Sequence, residues 1–221
     1  MTHILLVRHG ETDWNKEQRL QGHLDIGLNE QGVIQAQLLG QALAKEKIDV
    51  AYSSDLSRAL DTANTITAHH NVPTFIDTQL RERCYGEIQG MTYLEIEEKL
   101  PENHRAWNSR EPDFEPQGGE SLRQFYSRIT SSFERIAKNH EGQVILIVAH
   151  GGVLDCMYRH ATQMDISEKR KVELLNTSLN RLRFTGSEFT VESWGDVSHL
   201  QNLKSLDEVD SGKPSVPWLL P

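Results

Sequence analysis

Short apolar runs along this chain alternate with longer segments in which apolar residues recur every three or four positions. The runs at 2–7 and 143–149 are apolar without interruption from residues 4 and 144 onward, which indicates strands buried on both faces of a sheet. The longer segments have the periodicity of helices that cover a sheet. We therefore predict an α/β fold with three layers, in which a mostly parallel central sheet has helices on both faces. The expected strands span 2–7, 50–52, 72–76 and 143–149, and the expected helices span 31–45, 56–69, 93–100, 122–140 and 153–162.

The apolar positions also predict which face of a helix meets the sheet. In the helix at 31–45, Ile34, Leu38 and Ala42 form one row, which we expect to be buried. The helix at 122–140 has a cleaner stripe, typical of core packing. Residues that widen the first row are Val33, Ala36, Leu39 and Leu43, and the second stripe contains Leu122, Phe125, Ile129, Phe133 and Ile136.

Two features place strands at the borders of the sheet. Segments 178–184 and 189–194 are separated by a turn at Gly186 and Ser187, which predicts an antiparallel hairpin. Pro73 interrupts the strand at 72–76 and cannot donate a backbone hydrogen bond, so we expect that strand near an edge.

The chain is expected to form one domain, 1–197, with two additional segments. Residues 93–119 include Pro101, Pro112 and Pro116 together with many charges, which is typical of a lid inserted over one end of a sheet. Residues 198–221 are expected to be a loosely held tail. Its apolar residues could bind the domain itself or a partner subunit in a homodimer, and a disordered tail is the alternative. These residues are Trp218, Leu219 and Leu220.

Composition and charge argue against several classes of protein. The net charge of −9 argues against a nucleic-acid-binding protein. The two cysteines, Cys84 and Cys156, are far apart in sequence and suggest no disulfide framework. No apolar run has the length of a membrane helix, and the first residues do not resemble a signal peptide. We therefore expect a cytoplasmic protein with no membrane partner.

Two predicted strands are each followed closely by a histidine and a glycine. Arg8, His9 and Gly10 follow the first strand, and His150 and Gly151 follow the strand at 143–149. Parallel neighbours would bring both imidazoles to one sheet edge, where ligands collect in open α/β sheets. We expect Gly10 to let the backbone turn and a ligand come close. The hypothesis is that His9 is a nucleophile toward phosphorus and that Arg8 holds the phosphoryl oxygens; the alternative is that His9 is an ordinary turn residue.

Two further residues would complete such a site. Arg58 lies in the first turn of a predicted helix, where a cation opposes the helix dipole unless an anionic ligand is bound. The alternative for Arg58 is a surface ion pair with Asp55 or Asp61. Glu82 is the candidate proton donor to the leaving group and base toward water. The alternative for Glu82 is an ion pair with one of its neighbouring arginines, Arg81 and Arg83.

The motifs that carry these residues resemble those of the histidine phosphatase superfamily, also called the phosphoglycerate mutase-like family. The resemblance covers about residues 2–194 and implies a phosphohistidine mechanism without a metal or other cofactor. It implies catalytic roles for His9 and Glu82. Phosphate contacts are implied for Arg8, Arg58 and His150, and substrate contacts for Asn15, Gln21, Gly22, Tyr85 and Gly151. The motifs are VRHGETDWN at 7–15, LQGHLDIGLNEQG at 20–32, SSDLSRALDTA at 53–63, LRERCYGEIQG at 80–90, GGESL at 118–122 and AHGG at 149–152.

The family contains phosphatases and mutases, and this chain departs from the mutases. Residues 83–117 contain no adjacent pair of arginines, and Gly90 to Thr92 stand where mutases tend to have a lysine. We therefore expect a phosphatase branch member that hydrolyses a small phosphorylated metabolite. A cofactor-dependent phosphoglycerate mutase is the alternative enzyme. A non-catalytic module that binds phosphoproteins is the alternative from another class.

Overall fold

The computed structural model describes residues 1–203. It contains six strands, seven α-helices and three short 3₁₀ helices. The strands are β1 (Thr2–Arg8), β2 (Val50–Ser53), β3 (Thr74–Ile76), β4 (Val144–Ala149), β5 (Leu179–Phe184) and β6 (Phe189–Asp196). The α-helices are α1 (Asp13–Lys16), α2 (Glu30–Leu43), α3 (Ser57–Thr67), α4 (Tyr93–Lys99), α5 (Pro101–Asn108), α6 (Leu122–Asn139) and α7 (Gly151–Thr162). The 3₁₀ helices span Thr78–Leu80, Gly86–Ile88 and Ser198–Leu203.

All six strands form one sheet in the order β3-β2-β4-β1-β5-β6. The pairs β3/β2, β2/β4 and β4/β1 are parallel, whereas β1/β5 and β5/β6 are antiparallel. The predicted mostly parallel sheet and the hairpin near its end are therefore confirmed. The strand that follows Pro73 does lie at an edge, as the missing donor requires.

Alternate residues of β1 face opposite layers of helices. Ile4 and Leu6 pack in one core with residues of α6 and α7, while Leu5 and Val7 pack in a second core with residues of α2 and α3. The period of two along a strand sends successive side chains to opposite faces. Both cores are fully covered, which explains the continuous apolar runs in β1 and β4 and confirms the three-layer prediction.

Helix α2 presents a different face to the sheet from the one expected. Ile34 is 39% exposed and Val33 is 42% exposed, whereas Leu39 and Leu43 are buried. The predicted row through Ile34, Leu38 and Ala42 is therefore wrong as the centre of the buried face. The two glycines of α2 explain the difference, because each lies on the buried face and approaches the backbone of another segment closely. A Cβ at Gly32 would lie 2.1 Å from the carbonyl oxygen of Glu11, and one at Gly40 would lie 3.1 Å from that of Thr65.

Residues 93–119 form helices α4 and α5 and a following loop. Thr92 begins α4 with a capping box in which Thr92 and Glu95 exchange side chain–backbone hydrogen bonds. These elements pack in a small cluster of their own rather than in the two main cores. Whether the segment acts as a lid stays a prediction. The buried members of the cluster are Leu20, Ile88, Ile96 and Trp107, with Tyr85, Met91, Tyr93, Leu100 and Phe114 packed against them.

The first part of the predicted tail is the 3₁₀ helix Ser198–Leu203, which lies beside α2. The apolar residues Trp218, Leu219 and Leu220 lie outside the described residues. Among the helices of residues 1–203, none combines the length and the apolar character needed to cross a bilayer.

Candidate active site

Two histidines meet where β1 and β4 end. Arg8 is in register with Ala149, and the backbone N–H of His9 donates to the Ala149 carbonyl at 3.0 Å. The next residue of β4's chain is His150, so the two imidazoles become neighbours. Their ring centroids are 5.2 Å apart in an edge-to-face arrangement, and both side chains are buried. The two strand–histidine–glycine segments therefore meet at the carboxyl end of the sheet, as expected from parallel neighbouring strands.

The His9 ring is held in one tautomer. Its Nδ1 lies 2.7 Å from the carbonyl oxygen of Gly10. Because a carbonyl oxygen can only accept, Nδ1 carries the proton and Nε2 keeps its lone pair. Burial, followed by the nearby Arg58 and Arg8 cations, lowers the pKa of His9 well below its ordinary value. His9 is therefore a neutral imidazole with an unprotonated Nε2 at neutral pH.

Gly10 fixes this geometry in a way that the sequence did not indicate. A Cβ at Gly10 would lie 2.5 Å from the carbonyl oxygen of Gly32, at the start of α2. The Gly10 N–H donates to the Thr62 hydroxyl of α3 at 3.0 Å. The absence of a Cβ at Gly10 therefore makes room for helix α2, and the close approach of a ligand to Gly10 stays a prediction. The loop that carries His9 is thus held between helices α2 and α3 of one layer.

Two arginines flank the imidazoles: Arg58 is buried and Arg8 is partly buried. Arg8 Nη1 donates to the Leu174 carbonyl, and Arg58 donates to the carbonyl oxygens of Gly22 and Leu24 at 2.8 Å each. Within residues 1–203, neither Arg8 Nε nor Arg58 Nε has a hydrogen-bond partner. Burial lowers the pKa of each arginine to about 10, so both remain cations at neutral pH. The result is a pair of charged donors next to His9, one buried and one partly buried, suited to a phosphoryl dianion.

The surface ion pairs proposed as the alternative for Arg58 do not form. Asp55 instead accepts from Arg81 Nε at 2.7 Å and from Arg81 Nη2 at 2.5 Å. Arg58 is 1% exposed, whereas Asp61 is exposed, and Arg58 points back under the Gly22–Leu24 loop. A guanidinium buried without a carboxylate partner retains most of its capacity to bind an anion.

The carboxylate of Glu82 is also free of an arginine side chain. Its Oε1 accepts from the backbone N–H of Arg83 at 2.8 Å, and its Oε2 accepts from the backbone N–H of Gly152 at 2.9 Å. Arg81 pairs with Asp55, and Arg83 donates to the carbonyls of Phe114 and Glu120, so neither predicted ion pair exists. Two backbone donors therefore aim Glu82 at the amino end of α7.

A cavity with a volume of about 80 Å³ joins these groups. Asn15 is fixed in a capping box with Thr12, Gln21 is 7% exposed, and Gly22 has a left-handed φ of 54°. Tyr85 packs edge-to-face on Trp107 with ring centroids 4.9 Å apart. His150 and Gly151 lie behind the lining at the start of α7. The cavity is lined by Arg8, His9, Asn15, Arg19, Leu20, Gln21, Gly22, Arg58, Glu82 and Tyr85.

Sequence reasoning missed the loop that supports the backbone of Arg8 and His9. Asn176 donates to the His9 carbonyl at 2.9 Å, and the backbone N–H of Thr177 donates to the Arg8 carbonyl at 3.0 Å. Thr177 adopts a left-handed φ of 52°, which is strained for a β-branched residue. Strain of this kind persists where surrounding contacts impose it. The only signal in the sequence was a polar Asn-Thr-Ser run before a strand, which also fits an ordinary turn.

The site therefore combines a neutral imidazole, two arginine cations, a second imidazole and one carboxylate. Burial, then Arg58, His9 and Arg8, lower the pKa of His150 well below its ordinary value, so this ring is also neutral. Among residues 1–203, no group of three or more His, Cys, Asp or Glu side chains has a metal-binding arrangement. These groups suit attack on phosphorus with charge stabilisation by arginine.

A family model described as the histidine phosphatase superfamily (branch 1) matches residues 4–197. The chain belongs to the histidine phosphatase superfamily. Related proteins include phosphoglycerate mutase-like protein 4 of Arabidopsis thaliana, 46% identical over 203 residues, with 90% of this chain and 86% of that protein covered. Another is the metal-independent phosphoserine phosphatase of the same plant, 43% identical over 206 residues, with 92% and 85% covered.

Solved structures of this superfamily have the same fold. Bacillus stearothermophilus YhfR superposes with a TM-score of 0.85 at 32% identity, covering 91% of this chain and all 100% of that one. The phosphoserine phosphatase from Entamoeba histolytica in complex with 3-phosphoglyceric acid has a TM-score of 0.81 at 28% identity, covering 90% and 100%. The similarities favour a phosphoric monoester hydrolase over a mutase, as the absence of an arginine pair had suggested.

Proposed function

We propose that this histidine phosphatase hydrolyses phosphoserine, or a similarly small phosphomonoester with a carboxylate, through a phosphohistidine on His9. One observation carries the proposal. A neutral imidazole with an unprotonated Nε2 lies beside two arginines, and the buried Nε atoms of Arg8 and Arg58 have no partner within residues 1–203. Those donors match the oxygens of a phosphoryl group, and the imidazole matches an attack on its phosphorus.

In the first half-reaction, His9 Nε2 forms a bond to phosphorus while the bond from phosphorus to the ester oxygen breaks. The protonated Glu82 carboxyl gives its proton to the departing alkoxide, which leaves as an alcohol. Arg8 and Arg58 hold the equatorial oxygens, and His150 donates a ring N–H to one of them. Both cations stabilise charge that is concentrated in the transition state.

In the second half-reaction, water attacks the phosphohistidine and transfers a proton to the Glu82 carboxylate. The bond from phosphorus to Nε2 breaks, inorganic phosphate leaves, and His9 returns to the neutral tautomer held by Gly10. Glu82 is again protonated and ready for the next ester. The cycle needs no metal ion, because arginines supply the positive charge.

Two lines of support favour phosphoserine as the substrate. Relatives named phosphoserine phosphatase include the plant protein above and one from Hydrogenobacter thermophilus, 38% identical over 168 residues, covering 76% of this chain and 80% of that protein. Within this chain, Arg19 lines the cavity and is paired with Glu95 at 2.8 Å. The Arg19 cation at the cavity complements the carboxylate of phosphoserine.

The test is phosphate release from phosphoserine and 3-phosphoglycerate, each with a chelator and with or without 2,3-bisphosphoglycerate. We expect chelator-resistant release of inorganic phosphate, with the higher kcat/KM for phosphoserine. Formation of 2-phosphoglycerate would instead identify a mutase. Binding of phosphoserine without turnover would identify a binding module and contradict the proposal.

Location and assembly remain predictions. Cys84 and Cys156 are unpaired, which suits a reducing cytoplasm where such metabolites occur. The net charge of −9 suits a protein that does not bind nucleic acid. A homodimer is the remaining expected partner interaction, and light scattering of the full chain tests it.

A further inference from the structure

Glu82 lies in a segment that has no neighbouring strand to fix it. It follows the 3₁₀ helix Thr78–Leu80, and the next regular element begins at Gly86. A general acid must nevertheless be held within hydrogen-bond reach of the ester oxygen. The Glu82 side chain meets two backbone N–H groups, but its backbone needs separate support.

That support comes from one arginine of α6. Arg128 Nη1 donates to the carbonyl oxygens of Gln79 at 2.6 Å and Arg81 at 3.1 Å, and Arg128 Nη2 donates to that of Glu82 at 3.2 Å. Three carbonyls of one short segment thus converge on a single guanidinium. The Glu82 carbonyl also lies 2.9 Å from His23 Nε2, which must donate to it.

A carboxylate fixes this arginine in turn. Arg128 Nε and Nη2 donate to Glu120 Oε1 and Oε2 at 2.8 Å each, which is a bidentate pair with both side chains mostly buried. Glu120 also reaches past Glu82: its Oε2 accepts from the Cys84 N–H at 3.3 Å, and its backbone N–H donates to the Cys84 carbonyl at 2.9 Å. The Glu120–Arg128 pair therefore hydrogen-bonds to the backbone before and after Glu82.

We propose that Glu120 and Arg128 are positioning residues that hold the Glu82 carboxyl at the distance from the ester oxygen needed for proton transfer. The five donors of a guanidinium lie in a rigid plane, so Arg128 can serve a carboxylate and three carbonyls at once, which an ammonium group cannot do. Neither Glu120 nor Arg128 lines the cavity itself, so both act through Glu82, which does. This inference rests on the proposed function of Glu82.

A comparison of two esters with different leaving groups tests the positioning role. Phosphoserine releases a strongly basic alkoxide, which needs a proton, whereas p-nitrophenyl phosphate releases a stable phenolate, which does not. We expect Arg128→Gln to lower kcat for phosphoserine about 10- to 100-fold more than kcat for p-nitrophenyl phosphate, with KM nearly unchanged. Arg128→Lys and Glu120→Gln should give the same pattern at a smaller size.

Arg123→Gln is the matched control, because Arg123 lies on the same helix and its side chain, within the described part of the chain, forms only an exposed bidentate pair with Asp113. It should keep both activities. The decisive comparison adds Arg128→Gln to Glu82→Gln: with the proton donor already removed, the second change should lower kcat for phosphoserine less than about threefold. Thermal unfolding of every variant identifies any that do not fold, and the milder Arg128→Lys then carries the test.

Equal losses for the two esters in Arg128→Gln and Arg128→Lys would overturn the positioning role, and so would fully additive losses with Glu82→Gln. Failure of the proposed function is distinguishable, since the unaltered protein would then hydrolyse neither ester. If 3-phosphoglycerate is the better substrate, it replaces phosphoserine, because its leaving group is also an alkoxide.

Discussion

Gly152 is the position where a single methyl group should displace the carboxylate of Glu82, the proposed proton donor. A Cβ there would lie 2.2 Å from Glu82 Oε1 and 2.9 Å from Phe125 Cε1. Ordinary carbon–oxygen contacts begin near 3.4 Å, so in Gly152→Ala the carboxylate must retreat by about 1 Å. That movement also breaks the hydrogen bond from the Gly152 N–H to Glu82 Oε2, which is 2.9 Å long.

A displacement of this size should cost about 100-fold in kcat for phosphoserine, since about 1 Å of misplacement has that effect on catalytic groups. The fold should survive, because a glutamate side chain is flexible at its far end. The aromatic ring of Phe125 must shift slightly as well, which should destabilise the protein by about 1–3 kcal/mol.

The neighbouring glycine provides the comparison for Gly152→Ala. A Cβ at Gly151 would lie 3.5 Å from Arg8 Nε, an ordinary contact, so Gly151→Ala should lose less than about fivefold. Steady-state kinetics on phosphoserine and p-nitrophenyl phosphate, with urea unfolding of each variant, measures both effects. Equal kinetics for the two alanine variants would refute the steric reasoning, as would a loss in Gly152→Ala that is the same for both esters.

Two further outcomes follow from the buried charges. Arg58→Gln should lower kcat/KM for phosphoserine about 100-fold or more and weaken competitive inhibition by inorganic phosphate, because a buried cation is lost; unchanged phosphate inhibition in the kinetic assay would contradict its role. Because the pKa of His150 is lowered in the folded chain, the unfolded chain binds a proton below about pH 6.5 that the folded chain does not bind. The free energy of unfolding should therefore decrease as the pH is lowered below about 6.5, by up to about 1.4 kcal/mol per pH unit for this residue. His150→Gln should flatten that slope in urea titrations at several pH values, and an identical slope would count against the buried neutral ring.

Much of the fold could be predicted because its signals are local. The continuous apolar runs of β1 and β4 require burial on both faces, and the stripe of α6 from Phe125 to Ile136 requires one buried face. The face of α2 could not be predicted from apolar residues alone. Close backbone contacts at Gly32 and Gly40 decided it, and such contacts do not appear in a hydrophobic pattern.

Part of the candidate site could likewise be predicted from local signals, and part could not. His9 and His150 could be joined in advance because each follows a strand, and parallel strands end at one edge of a sheet. Arg128 could not be linked to Glu82, since its contacts lie 46 to 49 residues away and depend on how α6 crosses the sheet. The conformation of 93–119 also depends on distant contacts, among them those with Leu20.

The most direct measurement is a rapid-quench experiment that traps the phosphorylated protein during turnover of phosphoserine, followed by mass spectrometry of its peptides. We predict one phosphoryl group on His9, stable in alkali, labile in acid and absent from His9→Ala. A phosphoryl group on another residue, or full turnover by His9→Ala, would contradict the role of His9 as the nucleophile.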